Sequence, residues 1–176
     1  MSDFWVFGYG SLMWKPGFAH METARALLHG YRRALCIHSN VHRGTPEQPG
    51  LVLGLDRGGS CLGLAFRVPG ELMDEVLVYL RAREMINNVY VEKHLPLRLA
   101  DGRQVTALAY VADRSHRQYA GALPAIEAAA IVGRASGQSG ANTEYVMSTV
   151  DHLRKMGIRD HRLENVAALL AGLTSI

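Results

Sequence analysis

Two stretches of this chain carry residue types that could do chemistry: a glutamate at the end of a patterned helix, and a turn bracketed by glycines. Met73, Val76, Leu77 and Leu80 recur at helical spacing, and Glu84 falls one turn beyond Leu80 on the same stripe. A carboxyl in line with a core-facing stripe, at the C-terminal end of a helix, is disfavoured as an anion by burial and by the helix dipole. Burial lifts its pKa above the ordinary value of about 4.3, which is what a general acid/base near neutral pH requires. The competing reading pairs Glu84 with Arg81 or Arg83 on a solvated face, and the helix alone does not choose between the two.

The turn lies near the start, in Val6-Phe7-Gly8-Tyr9-Gly10-Ser11-Leu12. Trp5, Val6 and Phe7 are strand formers, and Gly8 and Gly10 permit a turn with positive φ. In such a turn successive backbone N–H groups converge and form a nest for a carboxylate or phosphate. On the glycines alone, a plain turn is the commoner meaning. Position 13 is Met, so the dinucleotide fingerprint fails, and no Lys-Ser/Thr pair follows to make a phosphate loop.

The elements that must hold these residues can be read in order. Residues 23–28 and 31–37 predict two strands or one long bent one, with His29-Gly30 between. Residues 38–50 hold two prolines and two glycines and predict a loop. Residues 51–56 and 61–68 predict a hairpin around Arg57-Gly58-Gly59. After Pro69-Gly70 a helix follows to about Glu84, with acids in its first turn. Residues 90–99 and 104–111 predict a hairpin around Asp101-Gly102. Three helices are expected over residues 124–135, 142–156 and 160–173. Strands first and helices late predict an α+β fold: a mostly antiparallel barrel with flanking helices and a helical C-terminal tail.

The chain has 176 residues, which suits one domain over 1–176. Its 19 Lys and Arg against 16 Asp and Glu give a net charge of +3, without a basic run, so nucleic acid is not indicated. No stretch approaches the roughly 18 apolar residues of a membrane span, and Met1-Ser2-Asp3 lacks a signal-peptide layout; a cytoplasmic location is expected. Cys36 and Cys61 lie in apolar runs and read as buried thiols. Of the eight histidines, His38 and His42 lie in a strand-to-loop stretch, and His152 and His161 on different predicted helices. With no Cys-x-x-Cys and no His-Glu-x-x-His, neither metal nor cofactor is expected. Ser139 lacks the last glycine of a nucleophile elbow and follows a helix, so it reads as a cap region opening onto Asn142.

Taken together, five segments resemble the ChaC-type γ-glutamylcyclotransferases. They are the opening Val6-Phe7-Gly8-Tyr9-Gly10-Ser11-Leu12, Gly30-Tyr31-Arg32-Arg33, and the loop His42-Arg43-Gly44-Thr45-Pro46-Glu47-Gln48-Pro49-Gly50. The others are Tyr79-Leu80-Arg81-Ala82-Arg83-Glu84, and Ser136-Gly137-Gln138-Ser139-Gly140-Ala141-Asn142-Thr143-Glu144-Tyr145 running on to Gly157-Ile158-Arg159-Asp160. Two departures stand out. Met85-Ile86-Asn87-Asn88-Val89 precedes Tyr90 where a glycine is usual, and Gln48 replaces a common lysine.

The resemblance implies an antiparallel barrel with flanking helices that cleaves glutathione to 5-oxoproline and cysteinylglycine. It makes Glu84 the acid/base, and Val6, Phe7, Gly8, Tyr9, Gly10, Ser11 and Leu12 the γ-glutamyl cradle. Tyr90 and Tyr119 would bring hydroxyls near the substrate. The distal carboxylate of glutathione needs a cation, for which Arg43 is the candidate. In this reaction the substrate's own amine attacks its γ-amide, so no enzyme nucleophile, metal or cofactor is required. Two other classes stay open: a cyclotransferase for other γ-glutamyl amines or peptides, and a non-catalytic glutathione-binding regulator of transport. The sequence sets no oligomeric state.

Overall fold

The computed structural model describes residues 2–85 and 87–174; Ile86, part of the departure before Tyr90, lies outside them. Its strands are β1 (Phe4–Gly8), β2 (Glu22–Ser39), β3 (Gly50–Val68), β4 (Tyr90–Leu99) and β5 (Gln104–Ala112). These close a barrel in the order β1-β3-β2-β4-β5. β1 runs antiparallel to β3, with Val6 opposite Phe66. It runs parallel to β5, with Val6 opposite Leu108, and this parallel seam closes the ring. β4 and β5 form the expected hairpin, in register from Tyr90 and Ala112 to Arg98 and Gln104.

Residues 23–37 lie in one long strand, β2, in which Gly30 takes φ +92°. The expected hairpin around Arg57-Gly58-Gly59 does not form, because β3 runs unbroken through it. Gly58 and Gly59 take φ of +98° and +72°, conformations open to glycine, and they bend the strand without reversing it. The Arg32 guanidinium donates to the Arg57 carbonyl and to Asp56 Oδ2 (3.3 Å), holding the bend against β2.

By packing, the chain divides into two compact units: residues 1–33 with 55–113, and residues 34–54 with 114–176. In the first unit the strands bury both faces, as the period of two requires. Phe7, Leu28, Leu55, Ala65, Ala107, Ala109 and Val111 pack on one side. Val6, Val68, Leu108 and Tyr110 pack on the other, beneath helix α1 (Met73–Glu84), which contributes Val76 and Leu80. A short 3₁₀ turn, Gly70–Leu72, leads into that helix.

In the second unit α2 (Ala125–Arg134), α3 (Asn142–Lys155) and α4 (His161–Thr174) pack on one another. They bury Val132, Val146, Val150, Leu153, Leu163, Val166 and Leu170. The segment read as a helix cap is instead a two-stranded pair, β6 (Ser136–Gly137) with β7 (Gly140–Ala141). It grips the loop before β3, with the amides of Gln138 and Ser139 donating to Val41 O (2.8 Å) and His42 O (2.9 Å). α3 begins without a side-chain cap. Asn142, fully buried, turns aside to pair with the backbone of Leu51, accepting from its N–H (2.8 Å) and donating to its carbonyl (2.9 Å). Cys36 and Cys61, one in each unit, are buried thiols.

Candidate active site

The turn after β1 is built by close approach. A Cβ on Gly8 would lie 3.1 Å from Leu12 Cβ and 3.4 Å from Met13 N, so the chain folds back over Gly8 because there is no side chain there. Neither Gly8 nor Gly10 has φ in the left-handed region, which overturns the expectation that the turn relies on it. The turn closes through Met13 N to Gly10 O (2.9 Å) and Lys15 N to Ser11 O (2.8 Å). The amides of Gly10, Ser11 and Leu12 have no hydrogen-bond partner among the described residues. Val6 and Phe7, 0% and 1% exposed, anchor the turn in the core.

Behind the turn lies Arg33, whose contacts with it the sequence reading did not foresee. It is 4% exposed and donates Nε to Tyr9 O (2.6 Å) and Nη2 to Leu62 O (2.8 Å), tying the start of the turn to β2 and β3. A basic residue at a buried position of an apolar strand was the available signal.

The helix stripe delivers Glu84 as its spacing predicts. Val76 and Leu80 are buried, and Glu84, last residue of α1, keeps 18% of its side chain exposed. Burial pushes its carboxyl above the ordinary glutamate range, and the Arg83 guanidinium, Nε 3.7 Å from Oε1, opposes that with a smaller pull downward. So the solvated-face reading is half right: Arg83 stands beside Glu84, but Arg81 pairs with Glu92 (3.1 Å). Glu92 Oε1 also accepts from the Tyr110 hydroxyl (3.0 Å). Burial and that hydrogen bond push the Tyr110 phenol well above its usual range, and the charge of Glu84 adds to the effect.

Arg83 connects the two candidate features. Its Nη2 donates to Ser11 Oγ (2.8 Å) and its Nη1 to Lys15 O (2.8 Å) and Tyr79 Oη (3.0 Å). Val6, Leu12, Leu80, Met85 and Tyr90 share one cluster, so the first unit brings together the turn, the end of α1 and the start of β4. Arg43 and Tyr119 belong to the second unit. Arg43 donates to Ala141 O (3.1 Å) and lies over the Tyr145 ring, 5.5 Å from its centre. Tyr119 bridges to Ile37 and lies under Arg114. Among the described residues no three His, Cys, Asp or Glu side chains cluster as a metal site, and no helix is long and apolar enough to cross a membrane.

This mostly antiparallel five-stranded barrel with C-terminal helices is the fold of the γ-glutamylcyclotransferases. Residues 4–172 match the family described as ChaC-like protein. The glutathione-specific γ-glutamylcyclotransferase of Escherichia coli K12 is 38% identical over 162 residues, which cover 92% of this chain and 70% of that one. A glutathione-specific γ-glutamylcyclotransferase 1 of Danio rerio is 35% identical over 182 residues, covering 99% and 93%. A solved yeast γ-glutamylcyclotransferase specific to glutathione superposes with a TM-score of 0.87 over 98% of this chain and 97% of that one, at 24% identity, and so speaks for the fold. The chain belongs to the ChaC-like family, a family of γ-glutamylcyclotransferase enzymes.

Proposed function

We propose that this enzyme cleaves glutathione to 5-oxoproline and cysteinylglycine; its relatives from Escherichia coli and Danio rerio are glutathione-specific γ-glutamylcyclotransferases. The γ-glutamyl unit binds with its α-carboxylate on the amides of Gly10, Ser11 and Leu12, within the cradle of residues 6–12. The bound chain is held folded, with the α-nitrogen against the γ-amide carbon. Orientation of this kind removes roughly 7–11 kcal/mol of barrier at its best.

Glu84 takes a proton from the α-ammonium. The freed lone pair forms the ring C–N bond, Glu84 returns its proton to the departing nitrogen as the γ-amide C–N bond breaks, and a second proton passes by way of Glu84 from the ring nitrogen to the released cysteinylglycine amine. Protons balance over the cycle, and the carboxyl ends as it began. The observation that carries this reading is the half-buried Glu84 carboxyl, held above the ordinary range and joined through Arg83 to a turn with unspent amides. Tyr90 and Tyr119 supply hydroxyls to the substrate, and Arg43 pairs with its distal carboxylate.

Incubation with glutathione, followed by assay of cysteinylglycine and 5-oxoproline, tests the reaction; absence of both products refutes it. Arg43→Ala mainly raises KM, because its contact lies away from the reacting bond. A γ-glutamyl amine without the distal carboxylate is a poor substrate. Equal turnover of γ-glutamyl-alanine and glutathione replaces glutathione specificity with a broader cyclotransferase.

A further inference from the structure

We propose that Arg83 is a positioning residue that clamps the anion turn to the end of α1, so that the amides of residues 10–12 and the Glu84 carboxyl keep a fixed separation. The inference rests on the proposed function for its kinetic consequence and on geometry for the clamp itself. One guanidinium edge serves the turn and the helix at once: Nη2 holds Ser11 Oγ at 2.8 Å, and Nη1 holds Lys15 O at 2.8 Å, Pro16 O at 3.4 Å and Tyr79 Oη at 3.0 Å. Its Nε faces Glu84.

The segment after the turn sits close on the same helix. A Cβ at Gly17, where φ is +75°, would lie 2.7 Å from Tyr79 Cζ. Thus residues 11–17 rest on one face of α1, and Arg83 is the cation that fastens them. The arginine side chain is 22% exposed and gives up rotamer freedom to make these bonds. A lysine, with a compact ammonium and no planar fork, cannot reproduce them together.

The groups facing Glu84 are Arg83 on its own helix and Tyr110 on β5, with Glu92 on β4 and Arg81 behind them. Arg83 is the cation among these that both contacts Glu84 and holds the turn, so its removal acts on both.

The test compares the full chain with Arg83→Lys and Arg83→Gln, by amide hydrogen exchange and by glutathione kinetics across pH. A charged hydrogen bond is lost in each variant, so exchange of the hydrogen-bonded amides of Met13 and Lys15 and KM both rise about tenfold or more, while amides of β4 and β5 keep their rates. The acid limb of kcat/KM moves to higher pH in Arg83→Gln and stays put in Arg83→Lys, which keeps the charge. Unchanged exchange at Met13 and Lys15 overturns the clamp. Faster exchange with KM and the acid limb both unmoved also overturns it, since the arginine is then merely structural. Should the wild type fail to turn over glutathione, the proposed function falls and exchange alone decides the clamp. Should Arg83→Gln fail to fold, Arg83→Lys and Ser11→Ala carry the same exchange and KM readouts.

Discussion

Glu84 carries two demands that conflict. As the proposed base it must ionise, yet burial favours its neutral form. Glu84→Gln keeps the shape and cannot move the proton, so turnover falls by about 10²–10⁴-fold, measured as 5-oxoproline release. Activity within a few-fold of wild type removes Glu84 from the mechanism. The same substitution has a cost of the opposite sign in stability. A carboxyl whose folded pKa is raised favours the fold below the unfolded value, about 4.3, and loses that contribution as pH climbs through the folded value. Glu84→Gln therefore melts higher than wild type at pH 8, and the gap closes below about pH 4. Equal melting temperatures at pH 8 show that the carboxylate is well solvated. The position of Glu84 was legible because a helical stripe needs only side-chain identity and spacing. The role of Arg83 was not, because its partners at Lys15 and Pro16 are backbone carbonyls, which every sequence possesses.

Among the elements, the long strands were harder to read than the helices. An apolar run, a glycine pair and another apolar run describe a hairpin and a bent strand equally well. Here strand pairing along both flanks of β3 decides, since β1 takes its second half and β2 lies along its other side. Within that half, Gly63 is required by contact: a Cβ there would lie 2.8 Å from Phe7 Cζ, with the Gly8 carbonyl oxygen closer still. Gly63→Ala pushes β1 off β3 and lowers stability by about 1–3 kcal/mol, read from chemical denaturation. An unshifted midpoint means the strands part without strain. Asn142 shows the other kind of misreading. An asparagine opening a helix signals a cap, but this one acts as a peptide group for Leu51. Asn142→Ala strands a donor and an acceptor in the core, at about 1–3 kcal/mol each. A loss under 1 kcal/mol implies that water replaces the amide.

At the scale of the whole molecule, a net charge of +3 gives a mild bias toward anionic small molecules, and glutathione is one. Glutathione, the proposed substrate, is also a thiol, which travels with its own disulfide. Mixed disulfides form when a thiolate lines up with an incoming sulfur, and this needs an accessible thiol. Cys36 is 0% exposed and Cys61 2%. Incubation with oxidised glutathione therefore leaves the mass of the native protein unchanged, whereas in denaturant each cysteine takes up one adduct. An adduct on the native protein would show that the fold opens to let the reagent in. Sealed in this way, the two sulfurs take no part in thiol–disulfide exchange, and under the proposed reaction the rate follows only how much reduced glutathione is present.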